Sequence, residues 1–180
     1  MKRHFIATFS RPALILGLGV LSLAAQAETN KISNPLVDYD TFLARAADIG
    51  KLRAERRVTE EQFIQLSAQP GTIVFDARSD DKYKMLHIKG ARHLSFPEIT
   101  AAELAKVFPD KSTRILIYCN NNFLNSPVAF AAKASSASLN IHTFNTLCSY
   151  GYTNVYELGP LIDIQKSKLA FEGTLLARQQ

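Results

Sequence analysis

Cysteine and histidine are scarce in this 180-residue chain, with two of the first, Cys119 and Cys148, and four of the second scattered along it. Two cysteines without a histidine cluster do not make a zinc site, so no metal is expected. Internal repeats and low-complexity tracts are absent. Long apolar runs are missing too. The strongest, residues 13–25, spans roughly a dozen residues where a membrane crossing needs about 20, so no stable membrane anchoring is expected. It comes after the basic start Lys2, Arg3 and His4 and precedes Ala25-Gln26-Ala27, a small-x-small site. Residues 1–27 therefore read as a cleaved signal peptide, and the chain is expected to be exported, into a periplasm. No cysteine stands just after the cleavage site, which argues against a lipid anchor.

Excess charge of one sign is also lacking. The formal net charge is +5, but Lys2, Arg3 and Arg11 lie in the leader and no acid does. Residues 28–180 hold 18 basic against 16 acidic residues, or +2. That balance gives no reason to expect nucleic acid or a membrane surface as partner. Hydrophobic residues make up 47% and charged ones 21%, enough for a packed core under a soluble surface.

Behind a polar lead-in ending at Pro35, residues 38–56 have a helical pattern, with Asp38 or Asp40 as cap. Phe42, Leu43, Ala46, Ala47 and Ile49 form its apolar stripe, and Gly50 is expected to break it. This N-terminal extension, residues 28–56, precedes a domain over 57–180. Val58 suits a short strand. Thr59-Glu60-Glu61-Gln62 is a capping box opening a helix to Leu66. Residues 72–76 form a short apolar strand. Residues 81–87 suit a short helix, Lys89-Gly90 a turn, and residues 93–96 a strand. A second capping box at Thr100 opens a helix to Val107. Residues 114–118 carry no polar alternation, as expected of a central parallel strand covered on both faces. Residues 154–158 form another strand. Strands alternating with helices imply an α/β domain with a mostly parallel sheet. Ligands of such sheets gather beyond the carboxyl ends of the strands, and Cys119 stands at such an end.

A cysteine attacks as thiolate. Backbone N–H groups of a tight loop favour that anion and also an anionic substrate. Asn120, Asn121 and Asn122 suit such a loop, because asparagine tolerates left-handed backbone where glycine is missing. The plainer alternative is that Cys119 fills a core position as a small apolar residue. Export allows a Cys119–Cys148 disulfide, although a strand-end residue and a mid-helix residue need not face each other within bridging reach.

Several motifs together resemble the rhodanese-like family. Ile73-Val74-Phe75-Asp76-Ala77-Arg78, then Tyr83 and His87-Ile88-Lys89-Gly90-Ala91, resembles its first signature. Ile115-Leu116-Ile117-Tyr118-Cys119 resembles the strand that carries its persulfide cysteine. Gly151 through Leu158 resembles the segment after its active-site helix. The resemblance implies a five-stranded mostly parallel sheet flanked by helices, here with an extra N-terminal helix. It also implies sulfur transfer through a persulfide on Cys119, from a small donor such as thiosulfate to a thiol acceptor, with no cofactor. The anion would be held by Asn120, Asn121, Asn122 and Phe123, with Arg78 as a further contact. Asp76, His87 and Gly90 would be structural.

The chain departs from that pattern in two ways. Active members close the loop after the cysteine with an arginine that binds the anionic donor, whereas this chain has Leu124 and Asn125 there and no arginine between Arg114 and Arg178. Phosphatases of the same fold also need that arginine to clamp phosphate. The interval from Cys119 to Gly151 is also longer than in the family, which places an insertion near residues 123–139, with an added helical turn at 129–134. The helix after the cysteine then falls at about 140–150, with Cys148 in packing. Lys133 is the one basic residue of the insertion; it reads first as a solvated surface lysine, with replacement of the arginine as a point charge the alternative. A module that keeps the fold for binding or redox contacts but has lost turnover is the alternative function.

Overall fold

The computed structural model describes residues 34–177. The chain divides into two units, Met1–Val37 and Asp38–Gln180. Of the first, residues 34–37 are described: a turn in which Val37 N–H donates to the Asn34 carbonyl at 3.1 Å. The leader lies outside the described residues. The second unit holds every helix and strand described.

Helix α1, Tyr39–Glu55, starts where the Asp38 carboxylate accepts the Thr41 N–H at 2.9 Å. It runs through Gly50, contrary to expectation. An interior glycine costs a helix about 1 kcal/mol, and Ile49 and Leu52 offset this by packing against the core beside it. The apolar stripe is only partly inward: Phe42 and Leu43 are exposed.

Strand β1, Arg57–Val58, is followed by α2, Glu60–Ser67, whose capping box forms as the sequence requires. Then come β2 (Thr72–Asp76), α3 (Asp80–Met85), β3 (His87–Ile88), β4 (Arg92–His93) and α4 (Ala101–Val107). Strand β5 is Arg114–Tyr118, and β6 is Phe123–Leu124. Helix α5 (Leu139–Ser149) and strands β7 (Val155–Leu158), β8 (Ile162–Asp163) and β9 (Phe171–Glu172) lead to α6 (Thr174–Ala177). His87 thus leaves the third helix and enters β3, paired antiparallel with β9. The strand expected at residues 93–96 ends at His93, because Phe96 and Pro97 begin a 3-10 turn.

Five strands make one parallel sheet in the order β1-β7-β5-β2-β4. Strand β5 lies at its centre and alternates between two cores. Leu116 and Tyr118 join Phe63, Phe123 and Phe130 on one face, while Ile115 and Ile117 join Phe75, Phe108 and Phe144 on the other. The strand reads as uniformly apolar because both faces are covered.

The insertion contains no helical turn at residues 129–134. Ala129 and Phe130 are buried instead, Phe130 against Phe123 with ring centroids 4.6 Å apart. Strand β6 pairs with β8 in a separate two-stranded sheet that holds the start of the insertion. Gly90, at φ 77°, gives the left-handed turn between β3 and β4 that its position required. Among the described residues, no helix is long and apolar enough to cross a membrane.

Candidate active site around Cys119

The parallel sheet sends β5 straight to Cys119, whose extended backbone caps a 3-10 turn, Asn120–Asn122. The asparagines do not curl left-handed. That conformation falls on Asn125, at φ 61°. Within the turn the Asn122 N–H donates to the Cys119 carbonyl at 3.2 Å, and the Phe123 N–H to the Asn120 carbonyl. Only the Asn121 N–H meets the sulfur, at 3.4 Å. The Ser138 hydroxyl, at the start of α5, lies 3.4 Å from the same atom.

The asparagines divide the work. Asn122 braces the turn: its Oδ1 accepts the Cys119 N–H at 2.8 Å and the Asn140 amide at 3.0 Å. Its Nδ2 donates to the Leu158 carbonyl at 2.7 Å and the Pro160 carbonyl at 3.2 Å. Asn121 clasps the insertion, donating to the Lys133 carbonyl at 2.7 Å and accepting the Lys133 N–H at 3.0 Å. Phe123, expected beside the anion, packs its ring into the core and spends its N–H inside the turn, so neither group is left for a ligand.

Cys119 is only 1% exposed, yet it lines a cleft of about 250 Å3. Asn121, Asn122, Ser138 and Asn140 line it, together with Arg53, Arg57 and Glu157. The Glu157 side chain, 4% exposed, accepts from Arg53 Nε at 2.5 Å and Nη2 at 2.7 Å. Arg57 Nε stands 3.7 Å from the same carboxylate, and its Nη2 donates to the Gly159 carbonyl at 2.8 Å.

Arg78 and Asp76 form a separate, buried pair. Arg78 Nε and Nη2 donate to the Asp76 carboxylate, with Nη2 at 2.6 Å from Oδ2. Its remaining bonds go to the carbonyls of Ala129 at 2.9 Å and Leu86 at 2.7 Å, and the Phe130 ring lies 4.2 Å away. Burial pulls this guanidinium down, but the Asp76 carboxylate more than restores it, so it stays charged. Its donors are committed within the fold. It lines a different cavity, with Asn120 and Lys133, from the one that Cys119 lines. Burial pushes the Tyr118 hydroxyl well above its usual range, with the Asp76 carboxylate 2.5 Å away adding to the effect.

His87 is fixed between the Tyr83 carbonyl at 2.7 Å and Glu172 at 3.2 Å, stacked on the Tyr83 ring. The Gly90 N–H donates to the same Glu172 oxygen at 2.9 Å, so both residues tie β3 to β9. Cys119 and Cys148 are free thiols. Cys148 is half-buried on α5 beside Ile49 and Leu52 of α1, and burial pushes its thiol up to about 11. Among the described residues, no group of His, Cys, Asp or Glu could hold a metal ion.

Arg53, Arg57, Ser138, Asn140 and Glu157 carry no motif. Two signals point to three of them: the basic cluster Arg53, Arg56 and Arg57 ahead of the domain, and Glu157, a lone acid in an otherwise apolar strand. A charged residue in a buried strand calls for an ionic partner.

Residues 59–159 match the family model described as the Rhodanese-like domain. Among solved structures, the chain is similar to the Rhodanese-like domain of an Anabaena sp. protein, at 19% identity and a TM-score of 0.47, covering 68% of this chain and 83% of that one. It is also similar to a Bacillus halodurans protein, at 23% identity and 0.45, covering 76% and 88%. A thiosulfate sulfurtransferase from Pseudomonas aeruginosa matches at 22% identity and 0.44, covering 66% of this chain and 21% of that one. No curated protein matches the sequence.

Proposed function

The chain belongs to the rhodanese-like domain family, and from that premise we propose that it is a sulfurtransferase carrying sulfane sulfur as a persulfide on Cys119. The observation that carries the reading is the setting of the Cys119 sulfur. It sits at the carboxyl end of the central strand, in a small polar cleft, with the Asn121 N–H and the Ser138 hydroxyl both 3.4 Å away. Both groups can donate hydrogen bonds to the sulfur when it attacks as thiolate.

The Cys119 thiolate attacks the outer sulfur of a donor such as thiosulfate. Its electron pair forms the new S–S bond, the old S–S bond breaks, and that pair leaves on sulfite. An acceptor thiolate then attacks the outer sulfur of the persulfide and returns Cys119 as thiolate. Total charge is unchanged in both steps, and no outside oxidant, metal or cofactor enters. Of the anion contacts expected from the sequence, Asn121 stays beside the sulfur through its N–H and Asn122 holds the turn in shape. The protein acts outside the cytoplasm, after removal of residues 1–27.

Intact mass measurement tests both points. Protein recovered from producing cells should begin at Glu28 and, after thiosulfate or polysulfide treatment, gain one sulfur atom. Cys119→Ser should gain none. A sulfur adduct that persists in Cys119→Ser, or a wild type that takes up no sulfur from any sulfane donor, refutes the mechanism. The second result favours the alternative, a fold kept for binding without turnover.

A further inference from the structure

The loop after Cys119 has no arginine, and none occurs anywhere from residue 115 to residue 177. A donor anion must still be drawn into a cleft whose loop side is neutral: Asn121, Asn122, Ser138 and Asn140. The insertion's Lys133 does not line this cleft, and Arg78 is spent on Asp76 and two carbonyls.

The cationic residues of the cleft come from the other end of the chain. Arg53 is in the last turn of α1 and Arg57 opens β1. Both line the cleft with Cys119. Their common anchor is Glu157, on the strand beside β5 and paired in register with Ile117. Two guanidiniums face one carboxylate, so the cluster keeps one net positive charge.

A purely structural role would need less. Burying Glu157 calls for one good partner, and Arg53 already supplies a two-point pair. Arg57 is not needed for that purpose, as its Nε stands back at 3.7 Å and its side chain is 47% exposed. Among the described residues, Nη1 of Arg53 and Nη1 of Arg57 have no hydrogen-bond partner. Glu157 and the Gly159 carbonyl therefore hold the two forks while leaving donors unspent. Donors fixed before a ligand arrives lose little freedom when it binds.

We infer that Arg53 and Arg57, from the N-terminal helix and the first strand, form the anion-recognition wall of the Cys119 site and take the place of the missing loop arginine. This rests on the reading of Cys119 as the sulfur carrier. It makes α1 part of the active site and narrows the donor to a small oxyanion bearing sulfane sulfur. The cleft's volume of about 250 Å3 amounts to about eight waters at the ~30 Å3 each takes in the liquid, which suits a small inorganic donor.

The test separates binding from transfer. In the Cys119→Ser protein, which cannot take the sulfur, thiosulfate binding is measured by calorimetry with and without Arg57→Gln. Arg57→Gln should weaken binding about tenfold, the worth of one charge-assisted hydrogen bond. Equal affinity with and without Arg57→Gln, or no thiosulfate binding in Cys119→Ser at all, overturns the inference. In the protein with Cys119 intact, Arg57→Gln should lower the ratio of the rate of persulfide formation from thiosulfate to the rate of Cys119 mixed-trisulfide formation from a neutral dialkyl trisulfide, whose central sulfur the thiolate attacks with loss of an alkylthiolate, by about the same factor, and an unchanged ratio overturns it too. If Arg57-dependent binding is found but Cys119 never takes sulfur, the anion site stands and the proposed transferase falls. If sulfur transfer occurs but ignores Arg57, the transferase stands and this wall falls.

Discussion

Asn122 shows how one side chain can decide the shape of the turn after Cys119. Its amide meets four partners at once: the Cys119 N–H, the Asn140 amide and the carbonyls of Leu158 and Pro160. Alanine at this position would leave a buried N–H and a buried carbonyl without partners. Each such loss costs about 1–3 kcal/mol, so Asn122→Ala should destabilise the protein by roughly 2–6 kcal/mol in urea unfolding. A loss well below 1 kcal/mol would mean that water replaces the brace. Cys148 makes a different prediction, about pH. Burial raises its thiol from 9.0 to about 11, so the folded state favours the protonated form. That contribution is fully present below pH 9 and disappears as pH rises through about 11. Cys148→Ala should lose less stability than wild type across that interval, read as the urea midpoint against pH. Parallel curves would show that the thiol titrates alike in folded and unfolded chains. Neither role could be read from residue type. The run of three asparagines marks the turn but not which amide braces it, and a helical cysteine at core-like spacing looks the same whether its thiol is wet or dry.

Elements were legible in proportion to how local their causes are. Strands β2 and β5 fall on the residues the apolar pattern assigns, because a strand covered on both faces leaves its mark in its own few residues. The helix at Thr59 obeys its capping box in the same way. The two-residue ladders β3–β9 and β6–β8 left no such mark. Their partners lie far along the chain, and short strands have too few side chains to show a period. The path of residues 129–134 was missed for a related reason. Alanine favours helix, but the burial of Phe130 against Phe123 and Phe171 and the pull of Arg78 on the Ala129 carbonyl outweigh that propensity. Gly50 is the converse case, a weak helix former carried by the packing of Ile49 and Leu52 on either side.

At the scale of the whole molecule, the site joins the sheet's centre to the helix that precedes the family domain. The matched region begins at residue 59, yet Arg53 and Arg57 lie before it. The motifs could not show this, because they carry the fold and Cys119 but not an ion pair between residues 53 and 157. That pair should also tie α1 to the sheet. Arg53→Ala would leave Glu157 buried with only the more distant Arg57, and an uncompensated buried charge costs roughly 3–5 kcal/mol. The lower end is expected here, since Arg57 remains 3.7 Å away. Arg53→Ala also removes side-chain contacts, so the single variant does not isolate the charge. Adding Glu157→Gln does, because it removes the carboxylate that Arg53 neutralised and nearly keeps its shape. Arg53→Ala with Glu157→Gln should therefore be more stable than Arg53→Ala alone, while Glu157→Gln in the otherwise native chain should be less stable than wild type. That reversal of sign, read from four unfolding curves, is the mark of a buried ion pair. If Glu157→Gln lowers stability equally in both backgrounds, Arg53 and Glu157 are not coupled, and α1 is held by its apolar contacts alone.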